Sequence, residues 1–207
     1  MDFDGVIVDS MDIKSQGFAK VYAAEDPSKI AQVLEYQRHH GGVSRGPKFL
    51  HFERSVFGRQ GDDETIECLT SAYHKIVFDA VVACPFVPGA ELFLRRAAKQ
   101  VELHVISGTP HEELLEIVDR RNLTPFFRSI RGGPTSKRDA FARILAVSHY
   151  LAANTAAIGD AVTEHVAAAE LGIPFVGVVP LGLSSPFPSN IPTVPNLESL
   201  SDVLGLA

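Results

Sequence analysis

From about Pro85 onward the chain alternates short apolar runs with helix-forming stretches, and this alternation narrows the choice of fold more than any other feature of its 207 residues. Residues 101–106, 155–158 and 174–179 have the length and apolar content of strands. Thr109-Pro110-His111-Glu112 predicts a helix start, with Thr109 as N-cap, Pro110 at the first helical position and Glu112 closing a capping box. Thr135-Ser136 reads as the cap of a helix over 137–146, and another helix follows Gly159-Asp160 and stops at Gly172. Strands separated by helices form a parallel sheet with helices on both faces. The expected class is therefore α/β, a Rossmann-like three-layer core. Such sheets bind ligands at the carboxyl ends of their strands. Residues 180–195, rich in Pro and Ser, are expected to run over the surface before a short last helix.

The stretch 11–83 differs in kind. Ile66, Leu69, Tyr73, Ile76 and Val77 repeat at helical spacing, as do Phe49, Phe52, Val56 and Phe57. Glycines 41, 42, 58 and 61 separate what reads as four helices. The expected division is a core of residues 1–10 and 84–207 with a helical bundle, 11–83, inserted in it. The hydrophobic share of 45% supports a core and a smaller second unit. No apolar run approaches the roughly 18 residues of a membrane helix, and the N-terminus does not read as a secretory signal, so a cytoplasmic protein without membrane partners is expected. Net charge is −6 with no basic stripe, which argues against nucleic acid. Cys68 and Cys84 have neither metal nor redox spacing and are expected as reduced thiols on apolar faces.

Four short segments fall at or just past expected strand ends: Asp2-Phe3-Asp4-Gly5, Ser107-Gly108-Thr109, Ser136-Lys137, and Gly159-Asp160 with Glu164. Each alone is compatible with an ordinary cap, loop or solvated charge. Together they supply complementary parts. A carboxylate is a competent nucleophile toward phosphorus, and a second carboxyl can protonate a leaving oxygen and later activate water. Asp2, Asp4, Asp160 and Glu164 would crowd one sheet edge, where like charges about 4 Å apart repel by roughly 4 kcal/mol at an effective dielectric near 20. A hard divalent cation such as Mg²⁺ would relieve that. Lys137 in the first turn of a helix opposes the helix dipole, so an anion is expected beside it. Ser107-Gly108 before a helix offers a hydroxyl and backbone N–H groups to an anion.

These segments, in this order, resemble the four motifs of the haloacid dehalogenase-like superfamily: Asp2 to Ser10 the first, Ser107-Gly108-Thr109 the second, Lys137 the third and Gly159 to Glu164 the fourth. The helical insert resembles that of the phosphoglycolate phosphatase and β-phosphoglucomutase subgroup. The resemblance implies a magnesium-dependent phosphatase for a small phosphorylated substrate. Asp2 would be nucleophile and metal ligand. Asp4 would be general acid/base, with its backbone carbonyl on the metal. Ser107 and Gly108 would hold the phosphoryl group, Lys137 would neutralise charge, Asp160 would bind Mg²⁺ and Glu164 would orient metal waters. The family more often has aspartate at this last position. It also places an apolar strand before the first motif, whereas only Met1 precedes Asp2 here. Either the chain starts further upstream or the central strand is truncated. The expectation is a poorly anchored Asp2 and greater stability for a chain extended upstream.

Substrate choice is expected to lie in the insert. The segment 39–48, with His40, Arg45 and Lys48 around Gly41-Gly42, could read a second anionic group on the substrate. Four alternatives remain at this stage. A halide-removing relative usually lacks the second aspartate, so Asp4 argues against it. A phosphonate-cleaving relative needs an insert lysine, for which Lys48 is a candidate. A phosphomutase would share every motif, and a catalytically impaired binding protein would keep the fold.

Overall fold

The computed structural model describes residues 1–206. Helices α1 (Met11–Val21), α2 (Pro27–His39), α3 (Arg45–His51) and α4 (Asp63–Ala83) come first, with a π-helical turn at Phe52–Val56 continuing α3. Asp26 caps α2 by accepting from the Ser28 N–H, and Asp62 caps α4 by accepting from Thr65 N–H. Phe18, Tyr22, Phe49, Phe52 and Tyr73 form an aromatic cluster at centre-to-centre distances of 4.4–6.2 Å. α1 lies close on α4 because it presents Gly17, where a Cβ would come within 2.3 Å of Val77 Cγ1. The four helices agree with the periodicity. Cys68 does not agree: it is exposed on α4, whereas Cys84 is buried, its thiol donating to the Val81 carbonyl. An isolated cysteine carries too little apolar surface to fix which face of a helix turns inward.

The remaining elements alternate: α5 (Ala90–Ala97), β1 (Leu103–Pro110), α6 (His111–Arg120), β2 (Phe127–Gly133), α7 (Lys137–Ser148), β3 (Ala157–Gly159), α8 (Val162–Glu170), β4 (Phe175–Val178), β5 (Thr193–Val194) and α9 (Leu200–Leu204). All strand pairings are parallel, in the orders β1-β2 and β3-β4-β5. Strand residues alternate between two apolar clusters. Val105, Ile158 and Val176 join one with Leu94, Leu114 and Leu197, while Ile106, Ala157 and Phe175 join the other with Phe141, Ile144 and Ala168. This two-residue period on β1, β3 and β4 defines a sheet covered on both faces.

Two corrections concern segments with weak signals. β2 was not foreseen because its Arg128, Ser129 and Arg131 dilute the apolar pattern. The tail is not wholly superficial: β5 pairs with β4, and Phe187 is buried, its ring lying where a Cβ on Gly177 would stand.

Met1 and Asp2 lie between the two groups of strands. The Met1 nitrogen donates to the His104 carbonyl at 2.8 Å, the Ile106 N–H donates to the Met1 carbonyl at 3.0 Å, and the Asp2 N–H donates to the Ile158 carbonyl at 2.9 Å. Asp2 is thus firmly anchored, contrary to expectation, because two residues of main chain suffice to bond both neighbours. Beside Met1 a groove of about 620 Å³ opens between Leu103–His104 on one side and Thr155–Ala156 on the other. The chain then turns through Gly5, and Asp9 N–H donates to the Pro85 carbonyl while Val87 N–H donates to that of Ile7. The segments leading into and out of the four-helix stretch therefore run side by side, joined by an isolated antiparallel bridge between Val8 and Phe86.

Candidate active site

Asp2 follows directly from the Met1 splice, and its Oδ1 accepts from Phe3 N–H at 2.7 Å. Asp4 lies in the turn that follows. Gly5 permits that turn with φ of +72° and lets Asp160 approach, since a Cβ there would lie 2.7 Å from Asp160 Oδ2. Lys137 opens α7 behind the cap Ser136, which accepts from Asp139 N–H as expected. Its ammonium reaches Asp2 Oδ2 at 2.9 Å, Glu164 Oε1 at 3.0 Å and the Ile106 carbonyl at 3.0 Å. The anion expected beside Lys137 is this pair of carboxylates.

Glu164 is almost wholly buried. Its Oε2 accepts from Ala161 N–H at 2.9 Å, and its Oε1 accepts from Thr163 Oγ1 at 2.9 Å. Both oxygens already hold the Asp160–Glu164 turn together. Asp160 has no side-chain hydrogen bond to another of the described residues. One carboxylate oxygen from each of Asp2, Asp160 and Glu164 lies within 4.8 Å of the others. Three hard oxygen donors, one of them unpaired with any other of the described residues, fit a small divalent cation.

Electrostatics follow from one buried cation facing three carboxylates. Burial alone would neutralise Lys137, but Asp2 and Glu164 outweigh it and keep the ammonium charged above its ordinary range. The surplus negative charge falls on the acids. Burial, opposed by Lys137 and reinforced by Glu164 and Asp4, pushes Asp2 up to about 6. Burial with Asp2 and Glu164 nearby raises Asp160 well above its usual value.

Asp4 behaves oppositely. Burial works against its ionisation, but the Lys14 ammonium and hydrogen bonds from Lys14, Ser10 and Ser107 hold it below the usual range. Ser10 Oγ donates to Oδ1 at 2.7 Å. Oδ2 receives Ser107 Oγ and Thr109 Oγ1, each at 3.1 Å, and Lys14 Nζ at 2.5 Å. Sequence reading assigned Thr109 to a helix cap. Instead β1 runs on to Pro110, with a register shift between Ile106 and Pro110, and α6 starts at His111 without a side-chain cap. That irregularity turns the Ser107 and Thr109 hydroxyls to Asp4. Ser107 Oγ is thereby engaged, whereas Gly108 borders the open cleft. Lys14 and Ser10 were also missed; their i, i+4 spacing, immediately after the acidic segment, was the available signal.

The cleft above these groups holds about 50 Å³ and is bordered by Asp2, Asp4, Asp160, Lys14, Arg45 and Lys48. Arg45 meets Glu113 of α6 at 2.5 Å and lies over the Tyr73 ring, while its buried Nη1 has no partner. His74 Nδ1 lies 2.7 Å from the other Glu113 oxygen. Lys48 donates to Gln37 Oε1 at 2.6 Å. Burial, with Lys14 nearby, lowers Lys48 to about 7 against the pull of Asp4, Asp160 and Glu164. His40 departs from expectation: it does not border the cleft, its Nδ1 lies 2.8 Å from the Tyr36 carbonyl, and its ring stacks on Tyr36. Gly41 and Gly42 close over the core instead. A Cβ on Gly42 would stand 2.1 Å from Thr163 Oγ1, and one on Gly108 would stand 2.9 Å from the Gly42 carbonyl oxygen.

Fold and site together define a hydrolase of the haloacid dehalogenase type. Residues 1–178 match the family model of haloacid dehalogenase-like hydrolases, and the chain belongs to that family. No curated protein matches it. Among solved structures it resembles the HAD-hydrolase YfnB from Bacillus subtilis bound to magnesium, with 16% identity, TM-score 0.75, and 99% and 96% of the two chains covered. CbbY from Rhodobacter sphaeroides in complex with phosphate gives 14%, 0.73, and 96% and 93%. A predicted phosphoglycolate phosphatase from Haemophilus somnus gives 13%, 0.72, and 98% and 95%. At these identities the likeness establishes the shared fold. No helix among the described residues is long and apolar enough to cross a membrane.

Proposed function

We propose that this chain is a magnesium-dependent phosphatase that hydrolyses a small phosphorylated metabolite through an aspartyl-phosphate. The observation that carries this reading is the convergence of Asp2, Asp4, Lys137, Asp160 and Glu164, more than 150 positions apart at the extremes, around one cleft. An Asp2 oxygen attacks phosphorus as the bond to the leaving oxygen breaks, and Asp4, which must first be released from Lys14 and take up a proton from solvent, gives that oxygen its proton. Asp4 then takes a proton from water, whose oxygen attacks the aspartyl-phosphate, releasing phosphate and restoring Asp2. Gly108 N–H and Lys137 stabilise charge on the transferring group, with Ser107 completing the cradle once its hydroxyl turns from Asp4. Asp2, Asp160 and the Asp4 carbonyl would hold Mg²⁺, with Glu164 orienting its waters; when bound, the ion offsets charge on the phosphoryl oxygens.

Arg45 and Lys48, not His40, border the space where the rest of the substrate would lie, and the free Arg45 Nη1 favours a second anionic group there. A cleft of about 50 Å³ has room for a few waters, so the helices must part to admit a substrate. The test is Mg²⁺-dependent release of phosphate from p-nitrophenyl phosphate. It should vanish in Asp2→Asn and on chelation; turnover that survives Asp2→Asn defeats the reading.

A second reading rests on Lys48 alone. An amine lowered to about 7 beside the cleft is suited to forming an imine with a carbonyl substrate, as a phosphonate-cleaving enzyme requires. Borohydride trapping of a phosphonoaldehyde on Lys48 would favour it, and absence of an adduct would remove it.

A further inference from the structure

Arg45 and Glu113 come from different parts of the fold and meet beside the cleft. Arg45 opens α3 in the helical stretch, and Glu113 lies in the first turn of α6 in the core. Arg45 Nη2 donates to Glu113 Oε1 at 2.5 Å, and both side chains are more than nine-tenths buried. The other carboxylate oxygen faces His74 Nδ1 at 2.7 Å, so α3 and α4 both grip this core carboxylate.

A free guanidinium offers a carboxylate or phosphate two parallel hydrogen bonds and a full positive charge. Here one arm is spent within the protein and the charge is matched. That leaves Nη1 buried and without a partner among the described residues. The other two ammoniums bordering the cleft are engaged as well. Lys14 is paired with Asp4, and Lys48 donates to Gln37 while burial lowers it to about 7. This side of the cleft therefore offers hydrogen-bond donors with little uncompensated charge.

We infer that Glu113 is a positioning residue that sets substrate choice: by holding one arm of Arg45 and matching its charge, it limits the group at the far end of the substrate to at most one negative charge, a carboxylate rather than a second phosphoryl group. A carboxylate takes the remaining arm. A second phosphoryl group brings more charge than that arm can match, with Glu113 as a buried like charge beside it. Turning the whole fork to the phosphoryl group would strip Glu113 of its cation and leave it only His74.

This inference rests on the proposed phosphatase reading, but its test needs no turnover. Three non-hydrolysable probes of similar length are titrated calorimetrically into the full chain at one free Mg²⁺ concentration: propylphosphonate, 3-phosphonopropionate and ethane-1,2-diphosphonate. The phosphonate stands in for the phosphoryl group, and the far end carries no charge, one charge or more than one. Like charges brought together at a binding site commonly cost more than about tenfold in affinity. The parent chain should therefore bind 3-phosphonopropionate at least about tenfold more tightly than ethane-1,2-diphosphonate. Glu113→Gln keeps the shape, removes the charge, and should erase most of that preference by improving the diphosphonate relative to propylphosphonate. Glu113→Asp, which restores the charge, should restore the preference. An equal loss of affinity for all three probes in Glu113→Gln reduces Glu113 to a structural brace. Equal or tighter binding of the diphosphonate by the parent chain overturns the inference without any variant. A parent chain that keeps the preference yet releases no phosphate from p-nitrophenyl phosphate loses the phosphatase reading and not the role of Glu113.

Discussion

Lys137 Nζ lies 2.9 Å from Asp2 Oδ2, so the residue proposed to attack phosphorus is already paired with the one side-chain ammonium among the described residues that forms an ion pair with the carboxylate cluster. The same ammonium touches Glu164. Lys137→Met should leave two buried carboxylates without a counter-charge. Breaking a buried pair in this way costs about 3–5 kcal/mol. Thermal unfolding should register the loss in the metal-free protein, with partial recovery on adding Mg²⁺. An unchanged midpoint without metal would mean that the pair is solvated.

Magnesium binding should tighten with pH. Asp2 is pushed up to about 6 and Asp160 is raised in the same direction, so both take up protons more readily than ordinary carboxyls in the metal-free protein. Cation binding must displace those protons, and each displaced proton is worth about tenfold in affinity per pH unit below the pKa. In the absence of metal the sign reverses for stability. A carboxyl whose folded pKa exceeds its unfolded value destabilises the fold as pH rises from about 4 through about 6. Asp4, with its lowered pKa, contributes the other way: its stabilisation is present above the unfolded value near 3.9 and is lost only as pH falls below it. The Mg²⁺-induced rise in Tm should be clearly larger at pH 7.5 than at pH 5.5; equal rises contradict the assignment.

Gly5→Ala tests the approach of Asp160. The positive φ at this position costs a side-chain-bearing residue about 1–2 kcal/mol. The added methyl would also push Asp160 Oδ2 from 2.7 Å to van der Waals distance, away from Asp2. Calorimetric titration should show weakened Mg²⁺ binding beyond what the lost stability explains. Binding as tight as in the parent chain would place the cation elsewhere.

Arg45→Ala should lower both stability and activity, for separable reasons. Glu113 would remain buried with only His74 beside it, a loss on the order of 3 kcal/mol. Removing Glu113 as well should restore part of the melting temperature but not the activity on a doubly anionic phosphate ester. Full kinetic recovery in Arg45→Ala/Glu113→Ala would reduce Arg45 to a structural anchor.

Much of this could be read from the sequence because strand ends leave local marks. Asp2, Asp4, Lys137 and Asp160 stand beside apolar runs, glycines and caps, and each of these borders the same cleft or its floor. What escaped reading depended on three-dimensional reach. Thr109 carries a sound helix-cap pattern, yet the strand runs on and leaves it one residue short of the cap position, with its hydroxyl on Asp4. Lys14 is one lysine among many on helix surfaces, and only the fold of α1 against α4 brings it to Asp4. His40 sat in the right segment, but stacking on Tyr36 claimed its ring. β2 failed to stand out because an edge position tolerates the polar Arg128, Ser129 and Arg131.

The splice at Met1–Asp2 gives one residue two separate duties. Its N–H completes the seam, bonding one half of the sheet while Met1 bonds the other, and its side chain faces the chemistry. Amide bonds are indifferent to what the Cβ carries. The nucleophile can therefore be silenced by a single-atom exchange while the seam that holds the molecule stays intact, which makes an inert, correctly shaped trap for the substrate available in one step.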